Sequence, residues 1–180
     1  TAVVASNGTW SVTPLQTLAD GTANVSVTAT DPAGNVSPAS LVPVIIDTAA
    51  PAAPVATPVT TADLTPTLTG TATLAAGETL QVTVNGATYA VTVASNGTWA
   101  LDTGTATPAS GTLGSFVSGT SYNVVATVID AAGNRTSDVG TAELTIDTTL
   151  PTSPVGDVAA ASDTGSSNTD NVTSHNTPTI

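Results

Sequence analysis

A seven-residue segment, Val-Ala-Ser-Asn-Gly-Thr-Trp, occurs twice in the chain, at residues 4–10 and again at 93–99. Two further segments recur in the same order, Asp-x-Ala-Gly-Asn at 31–35 and 130–134 and Ile-Asp-Thr-x-x-Pro at 46–51 and 146–151. The spacings are 93 − 4 = 89, 130 − 31 = 99 and 146 − 46 = 100 residues. A recurring order at roughly this spacing indicates a tandem array of similar modules.

The segments between these repeats favour strands over helices. The chain is 40% hydrophobic but only 3% aromatic, with 15 glycines and 12 prolines, and β-branched residues dominate between the breaks. This composition predicts many short strands and a core built mainly from small aliphatic side chains. A thin β-sandwich suits such a core.

Alternation is clearest after residue 79, where Leu80, Val82 and Val84 lead into the pair Asn85-Gly86. Asn-Gly between alternating apolar residues predicts a two-residue type I′ hairpin turn. A second Asn-Gly turn precedes Trp99, so we predict a three-stranded meander with Trp99 as the core anchor. About seven strands in roughly 100 residues predict an all-β fold of Ig-like β-sandwich modules, each with two antiparallel sheets, stacked end to end.

The repeats also predict the domain boundaries. Residues 1–47 are expected to form the C-terminal half of one Ig-like module, 48–148 a complete module, and 149–180 a linker and the start of a third. The final segment Thr177-Pro-Thr-Ile180 repeats Thr65-Pro-Thr-Leu68, which opens the complete module. The extra ten residues of the second repeat fall within 101–121, which we predict to be a lengthened loop and not a new strand or helix.

The charge of the chain is strongly negative. Thirteen acidic residues stand against one basic residue, Arg135, for a formal net charge of −12. We therefore expect no binding to nucleic acid and no membrane insertion. Since the chain has neither cysteine nor lysine, disulfides and lysine-asparagine isopeptide bonds are excluded as crosslinks. Multivalent cations are the remaining means of stiffening, because Ca²⁺ takes oxygen ligands from Asp, Asn and backbone carbonyls.

The order of TPTLTGTA, VNG, SNGTW, a strand ending in DAAGN and a strand ending in IDTTLP resembles the bacterial Ig-like tandem repeats of giant RTX and biofilm-associated surface adhesins. The resemblance covers essentially the whole chain, and residues 163–180 are similar to the start of the family's calcium-binding repeat. It implies an extender, a rod of stacked modules stiffened by Ca²⁺ at the junctions. It also implies an extracellular location on the bacterial cell surface and a role in cell adhesion and biofilm formation.

An Ig-like sandwich places its loops at two poles, where consecutive modules meet. Asp130 and Asp147 each end a strand, and we expect them to lie together at the C-terminal pole of the complete module, facing the next module. The main predicted Ca²⁺ ligands are Asp130, Asp147, Asp157, Asp163 and Asp170, and secondary candidates are Asp31, Asp47 and Asp63. For Asp31 and Asp130 the alternative is a carboxylate that only caps its own turn. For Asp163 and Asp170 the alternative is a mobile polar linker.

The linker between the first two modules, residues 51–63, departs from this pattern. It offers Asp63 but neither the Asp-x-Gly nor the Asp-Asn pair found after residue 162. Calcium is therefore expected mainly at the second junction, where the distance between the corresponding prolines is longer (178 − 151 = 27 against 66 − 51 = 15).

We do not expect an enzyme. The single histidine, His175, lies in a polar segment without a second histidine or a cysteine, and no Gly-x-Ser-x-Gly motif is present. Four of the five aromatic residues (Trp10, Tyr89, Trp99 and Tyr122) lie in predicted strands, where core packing is expected. Phe116, in the lengthened loop, is the exception.

The sequence thus predicts a structural spacer of a bacterial surface adhesin, with neighbouring Ig-like modules as its partners. Two alternatives remain open. The 101–121 loop can make the middle module a ligand- or glycan-binding module, and an exposed patch around Phe116 would favour this. Alternatively, residues 155–180 of one molecule complete the sandwich begun by residues 1–47 of another, which gives an extracellular fibre of self-copies by strand exchange.

Overall fold

The computed structural model describes residues 2–138, 140–153, 156, 159, 162–163, 167, 174 and 176–177. The chain divides into two compact units, residues 1–148 and 149–180. All regular secondary structure among the described residues is strand, which confirms the predicted all-β class. The strands are β1 Gly21–Val27, β2 Ser40–Ile46, β3 Val55–Ala56, β4 Val59–Thr61, β5 Thr67–Thr71, β6 Thr79–Val84, β7 Ala87–Val91, β8 Thr98–Asp102, β9 Ser110–Gly111, β10 Thr120–Tyr122, β11 Val124–Ile129, β12 Arg135–Ser137 and β13 Leu144–Ile146.

Residues 48–148, which we call the middle module, hold three sheets. Their strand orders are β12-β11-β6-β7-β9, β3-β5-β8 and β10-β13-β4. Alternating side chains of these strands meet in one core, in which Leu80, Val82, Tyr89, Val128 and Ile146 are at most 1% exposed. The sheets and their shared core are those of an Ig-like β-sandwich. Trp99 is 2% exposed, so its predicted role as a core anchor is confirmed.

The hairpin of β6 and β7 forms as the sequence predicts. Leu80 pairs with Val91 and Val84 with Ala87, so the loop consists of Asn85 and Gly86 alone. Both have positive φ, 42° and 90°, as a type I′ turn requires. The side-chain amide of Asn85 also donates to the carbonyl oxygens of Gly114 (2.8 Å) and Ser115 (3.2 Å).

The predicted meander is wrong at its third strand. The chain leaves the sheet of β7 before the turn at Asn96-Gly97, because Val93 already forms a bridge with Trp99. Strand β8 then pairs with β5, and Trp99 lies opposite Gly70. A Cβ on Gly70 would overlap the indole ring of Trp99 and the carbonyl oxygen of Val55. The indole thus occupies the space that a side chain at position 70 would fill.

The 101–121 segment is more ordered than a simple loop. It contains the two-residue strand β9, which adds to the edge of β7, and it ends in β10. Phe116 is only 7% exposed and packs edge-on against Tyr122, with ring centroids 5.0 Å apart. The prediction of a lengthened loop without a new element is therefore wrong, because the insertion has its own apolar anchor and pairs with the sheet.

The first and last strands of the middle module lie side by side. The leading strand is divided between two sheets, with β3 beside β5 and β4 beside β13. The pairing of β4 with β13 is parallel, with Val59 opposite Leu144 and Thr61 opposite Ile146. Val59 N donates to Glu143 O (2.6 Å) and Asp147 N donates to Thr61 O (2.9 Å). Hydrogen bonds thus join the beginning of the module directly to its end.

Residues 1–47 contain one long hairpin. Strands β1 and β2 pair over seven residues each, from Gly21 opposite Ile46 to Val27 opposite Ser40. Several of its large apolar side chains are exposed, including Leu41 (66%) and Ile45 (79%). Trp10, predicted to pack in a core, is 44% exposed, so that expectation is wrong.

Candidate functional site

Polar side chains from two repeats lie together where the first hairpin ends and the middle module begins, at residues 47 and 48. We call this contact the first junction and define it by Asp20, Asp47, Thr48, Asp130 and Asn134. The Nδ2 group of Asn134 donates to the backbone carbonyl of Asp47 at 3.1 Å. This hydrogen bond joins a turn of the middle module to the end of the preceding hairpin, 87 residues earlier in the chain.

The Asp130–Asn134 turn positions that amide. The Oδ1 atom of Asp130 accepts the backbone N–H of Asn134 and the Oδ2 atom accepts its Nδ2, both at 2.8 Å. The hydrogen bond from the Asn134 side chain, opposed by desolvation and aided by backbone N–H groups, holds the pKa of Asp130 below its ordinary value of 3.8. Both carboxylate oxygens are thus used by the turn, as the turn-capping alternative predicts.

The repeated turn at Asp31–Asn35 has the same geometry. Asp31 accepts the backbone N–H and the side-chain amide of Asn35, again both at 2.8 Å. The side-chain hydrogen bond from Asn35 is the main cause that lowers the pKa of Asp31. Within the described residues, Asn134 donates across the junction and Asn35 does not, which makes Asn35 its natural control.

Two aspartates fix the backbone on the other side of the first junction. The Oδ1 atom of Asp20 accepts the backbone N–H (3.1 Å) and the hydroxyl (2.8 Å) of Thr48. The Oδ1 atom of Asp47 accepts the N–H of Ala49 at 3.1 Å. Our sequence reasoning missed Asp20 and Asn134, although the identity of Asn35 and Asn134 within a repeated turn was a usable signal.

The predicted meeting of Asp130 and Asp147 is wrong. Strands β10 and β11 run in one direction, so Thr120 and Ile129 lie at opposite ends of the module. Asp147 follows Ile146, which pairs with Thr120, whereas Asp130 follows Ile129. Nine residues of extended chain span about 30 Å, so the two carboxylates lie at opposite poles and cannot share one ion.

The pole that holds Asp147 also holds Asp63 and Asp102. Asp147 N donates to Thr61 O, two residues before Asp63, and Asp102 pairs with Thr67. The carboxylate of Asp63 accepts the N–H and hydroxyl of Thr65 at 2.8 and 3.0 Å. Asp102, which was not predicted, accepts the Thr105 hydroxyl (2.8 Å) and the Gly104 N–H (2.9 Å). The hydrogen bond from Thr105 is the first cause of its lowered pKa.

Of the five main predicted Ca²⁺ ligands, the structure describes Asp130, Asp147 and Asp163. Among the described residues, no three acidic or histidine side chains are grouped closely enough to hold a metal ion. Asp163 lies in the second unit and is 5% exposed, with its N–H donated to Ala159 O at 3.0 Å. Asp157, Asp170 and His175 lie outside the described residues. Calcium at the second junction therefore stays a prediction.

Residues 1–48 match the family model of a bacterial Ig-like domain. The match confirms the resemblance to bacterial Ig-like repeats, and the matched residues include Trp10, the β1–β2 hairpin and the Asp31–Asn35 turn. Bacterial Ig-like domains commonly occur in extracellular surface proteins. None of the curated proteins matches the sequence.

The bacterial Ig-like match ends at residue 48, within the first junction. The middle module contains second copies of the three repeated segments found in residues 1–48. Its strand β5 lies beside Trp99, the second tryptophan. In the part of the chain that the structure describes, no helix has the length and apolar character needed to span a bilayer.

Proposed function

We propose that this chain is a load-bearing spacer of a bacterial cell-surface adhesin, in which consecutive Ig-like modules are joined at fixed junctions. In this role it holds another part of the protein away from the cell and supports cell adhesion and biofilm formation. Its partners are the neighbouring modules, and its location is extracellular. A spacer has to resist extension, and its resistance depends mainly on how the first and last strands of each module are paired.

The parallel pairing of β4 with β13 carries the proposal. The chain reaches β4 from the pole at residue 48 and leaves β13 at the opposite pole, at Asp147. A force that separates the two poles therefore pulls β4 and β13 in opposite directions along their own axes. All hydrogen bonds between them are then loaded together, and they cannot open one at a time from one end. Such a geometry resists extension.

The test is to stretch single molecules of the full chain and measure the unfolding force of the middle module. Val59→Pro removes the N–H that is donated to Glu143 O. Thr60→Pro places the same ring in the same strand, at a position whose side chain is exposed and whose N–H points away from β13. We expect V59P to lower the unfolding force and T60P to leave it closer to that of the wild type. Equal forces for V59P and the wild type would reject the load-bearing role.

The first junction supports a fixed orientation between residues 1–47 and the middle module. Asn134→Ala removes the hydrogen bond to Asp47, and Asn35→Ala removes the equivalent side chain, which donates to Asp31 within its own turn. Since the chain has no cysteine, Ser26→Cys and Ala90→Cys, both at exposed positions, can carry spin labels. We expect N134A to broaden the distribution of distances between the labels and N35A to leave it narrow. A distribution that N134A leaves unchanged would show that this bond does not orient the modules.

Calcium stiffening of the second junction is the finer part of the proposal, motivated by the acidic stretch from Asp157 to Asp170. Ca²⁺ at about 100 times its dissociation constant stabilises the state that binds it by about 2.7 kcal/mol. We expect excess chelator to lower the thermal midpoint and to shorten the maximum dimension measured by small-angle X-ray scattering. The double variant Asp163→Asn, Asp170→Asn should resemble the chelated wild type. Identical profiles with Ca²⁺ and with chelator would contradict calcium stiffening.

One alternative has an observation in its favour. The β1–β2 hairpin exposes the apolar side chains of Leu41 and Ile45. Strands from another copy of the chain could cover them, so strand exchange between copies is the second candidate. Sedimentation that becomes faster as concentration rises would support it, and a constant monomer would reject it. The ligand-binding alternative has no such support, because Phe116 is buried against Tyr122.

A further inference from the structure

Six segments of the sequence have the form Asn-x-Ser/Thr with x other than proline, the pattern of an N-glycosylation acceptor. We call such a segment a sequon, and the six asparagines are Asn7, Asn24, Asn35, Asn96, Asn134 and Asn171. Asn171 lies outside the described residues. A sugar is attached to the side-chain nitrogen Nδ2, so the hydrogen bonds of that atom show which of the other five sequons can react in the folded chain.

The nitrogens of Asn35 and Asn134 are occupied. Nδ2 of Asn35 donates to Oδ2 of Asp31, and Nδ2 of Asn134 donates to Oδ2 of Asp130, both at 2.8 Å. Nδ2 of Asn134 also donates to the Asp47 carbonyl at 3.1 Å. Each nitrogen has to lose a hydrogen bond to a charged acceptor before it can react, which reduces its reactive fraction by about tenfold or more.

Asn24 has a different obstacle, because it lies in the middle of strand β1 and faces Pro43 of β2. Asn24 and Ser26, the first and last residues of this sequon, are on one face of the strand but about 7 Å apart along it. Among the described residues, no hydrogen bond joins the two side chains. The paired, extended backbone therefore keeps the hydroxyl of the sequon away from its amide.

Asn7 and Asn96 combine an exposed turn with an unoccupied nitrogen. Oδ1 of Asn96 accepts the N–H of Thr98 at 3.1 Å and its hydroxyl at 2.8 Å, and Oδ1 of Asn7 accepts the same two groups of Thr9 at 3.1 and 2.7 Å. In the part of the chain that the structure describes, neither Nδ2 makes a hydrogen bond. Both asparagines are exposed. The hydroxyl of the sequon thus holds the amide by its oxygen and leaves the nitrogen open to solvent.

We propose that Nδ2 of Asn7 and Nδ2 of Asn96 are N-glycosylation sites, with a sugar carried on a diphosphate as the donor. Nδ2 forms a bond to the anomeric carbon of the sugar, the bond between that carbon and the diphosphate oxygen breaks, and solvent takes up the proton that Nδ2 loses. A glycosyltransferase of the host cell catalyses the transfer. Oδ1 is not consumed, so the turn keeps its hydrogen bonds after modification. Because the turn recurs, each repeat carries one sugar at the same place, and this does not depend on the spacer role.

The test offers the folded full chain to two enzymes in separate arms. One arm uses a soluble bacterial N-glycosyltransferase with UDP-glucose, and the other uses an oligosaccharyltransferase with a glycan linked to polyprenyl diphosphate. The two arms distinguish a nucleotide-linked donor from a lipid-linked one. Peptide mass mapping measures the rate of modification at each asparagine. A protease digest of the same chain, in which no fold protects any site, gives the reference rate for each sequon.

Relative to the digest, we expect Asn7 and Asn96 of the folded chain to react at least about tenfold faster than Asn35 and Asn134. Asp31→Ala releases Nδ2 of Asn35 and should raise the rate at Asn35 about tenfold, with Asn96 of the same molecule as the unchanged internal control. Failure of both Asn7 and Asn96 to react with either donor would overturn the proposal, and so would equal relative rates at Asn96 and Asn134.

A folded D31A variant in which Asn35 reacts no faster would contradict the claim that hydrogen bonding of Nδ2 selects the sites. Circular dichroism checks the fold of this variant. If D31A does not fold, the comparison of sites within the wild type decides alone, because it needs no substitution.

Discussion

The two copies of Val-Ala-Ser-Asn-Gly-Thr-Trp have the same turn but different surroundings. In each copy the asparagine side chain accepts the N–H and the hydroxyl of the following threonine, with distances of 3.1 and 2.7 Å for Asn7 and 3.1 and 2.8 Å for Asn96. The backbone hydrogen bonds of the two turns agree to within 0.1 Å. The tryptophan that follows is 44% exposed in the first copy and 2% exposed in the second.

The seven residues determine the conformation of the turn, but they do not determine whether the tryptophan is buried. The turn needs only the asparagine, the glycine and the threonine, so it forms in both places. Burial of the tryptophan needs a strand from elsewhere in the chain, and for Trp99 that strand is β5, with Gly70 beneath the indole. The local sequence therefore determines the turn conformation, and a contact with a residue about 30 positions away determines the burial of the tryptophan.

The largest expected effect comes from the tryptophans themselves. Trp99→Ala should lower the free energy of unfolding of the middle module by about 3–5 kcal/mol, because it leaves a large cavity. Trp10→Ala should cost less than about 1 kcal/mol, because the side chain is half exposed. Urea unfolding followed by far-UV circular dichroism measures both. Comparable losses for the two variants would mean that Trp10 is covered in solution.

A smaller effect is expected beneath the indole. Gly70→Ala should cost about 1–3 kcal/mol, because the added methyl group meets the Trp99 ring and the Val55 carbonyl. Gly156→Ala, outside the middle module, is the control, since no atom of the described residues lies within 4 Å of its Cβ position. The same unfolding measurement serves here. If G70A were as stable as G156A, close packing of Gly70 against Trp99 would not explain why β8 joins the β5 sheet.

The smallest effect concerns the repeated Asp-x-Ala-Gly-Asn turns. The pKa values of Asp31 and Asp130 are lower in the folded chain than their ordinary value of 3.8. Each carboxylate therefore adds stability above pH 3.8, and this contribution disappears as the pH falls from 3.8 through the lowered pKa. We expect the thermal midpoint of the wild type to fall more steeply below about pH 4 than that of Asp130→Asn. Parallel pH profiles would show that the turn carboxylate adds no pH-dependent stability.

Much of the fold was predictable because its signals are local. The alternation of Leu80, Val82 and Val84 and the Asn85-Gly86 turn predict the β6–β7 hairpin with the register that forms. The errors arise where contacts are distant. The passage of β8 to the β5 sheet, the parallel pairing of β4 with β13 and the burial of Phe116 all depend on strands that no short window contains.

The candidate site was less predictable for the same reason. Each aspartate that ends a strand could be found from the sequence, but the pole at which it lies depends on strand direction. The sequence predicts that Asp130 and Asp147 lie together because both end strands, but β10 leads directly into β11 and this separates them. Asn134 was missed because an amide that crosses a junction looks the same in sequence as one that only closes its turn.

The most direct test of the spacer role compares two pulling directions on the wild-type sequence. In one, force is applied through residues 48 and 148, which loads the β4–β13 pair along the strands. In the other, force is applied through residues 48 and 105, which leaves β13 unloaded at its end. We predict a clearly higher unfolding force of the middle module in the first direction. Equal forces in both directions would contradict the claim that this module is built to bear tension from pole to pole.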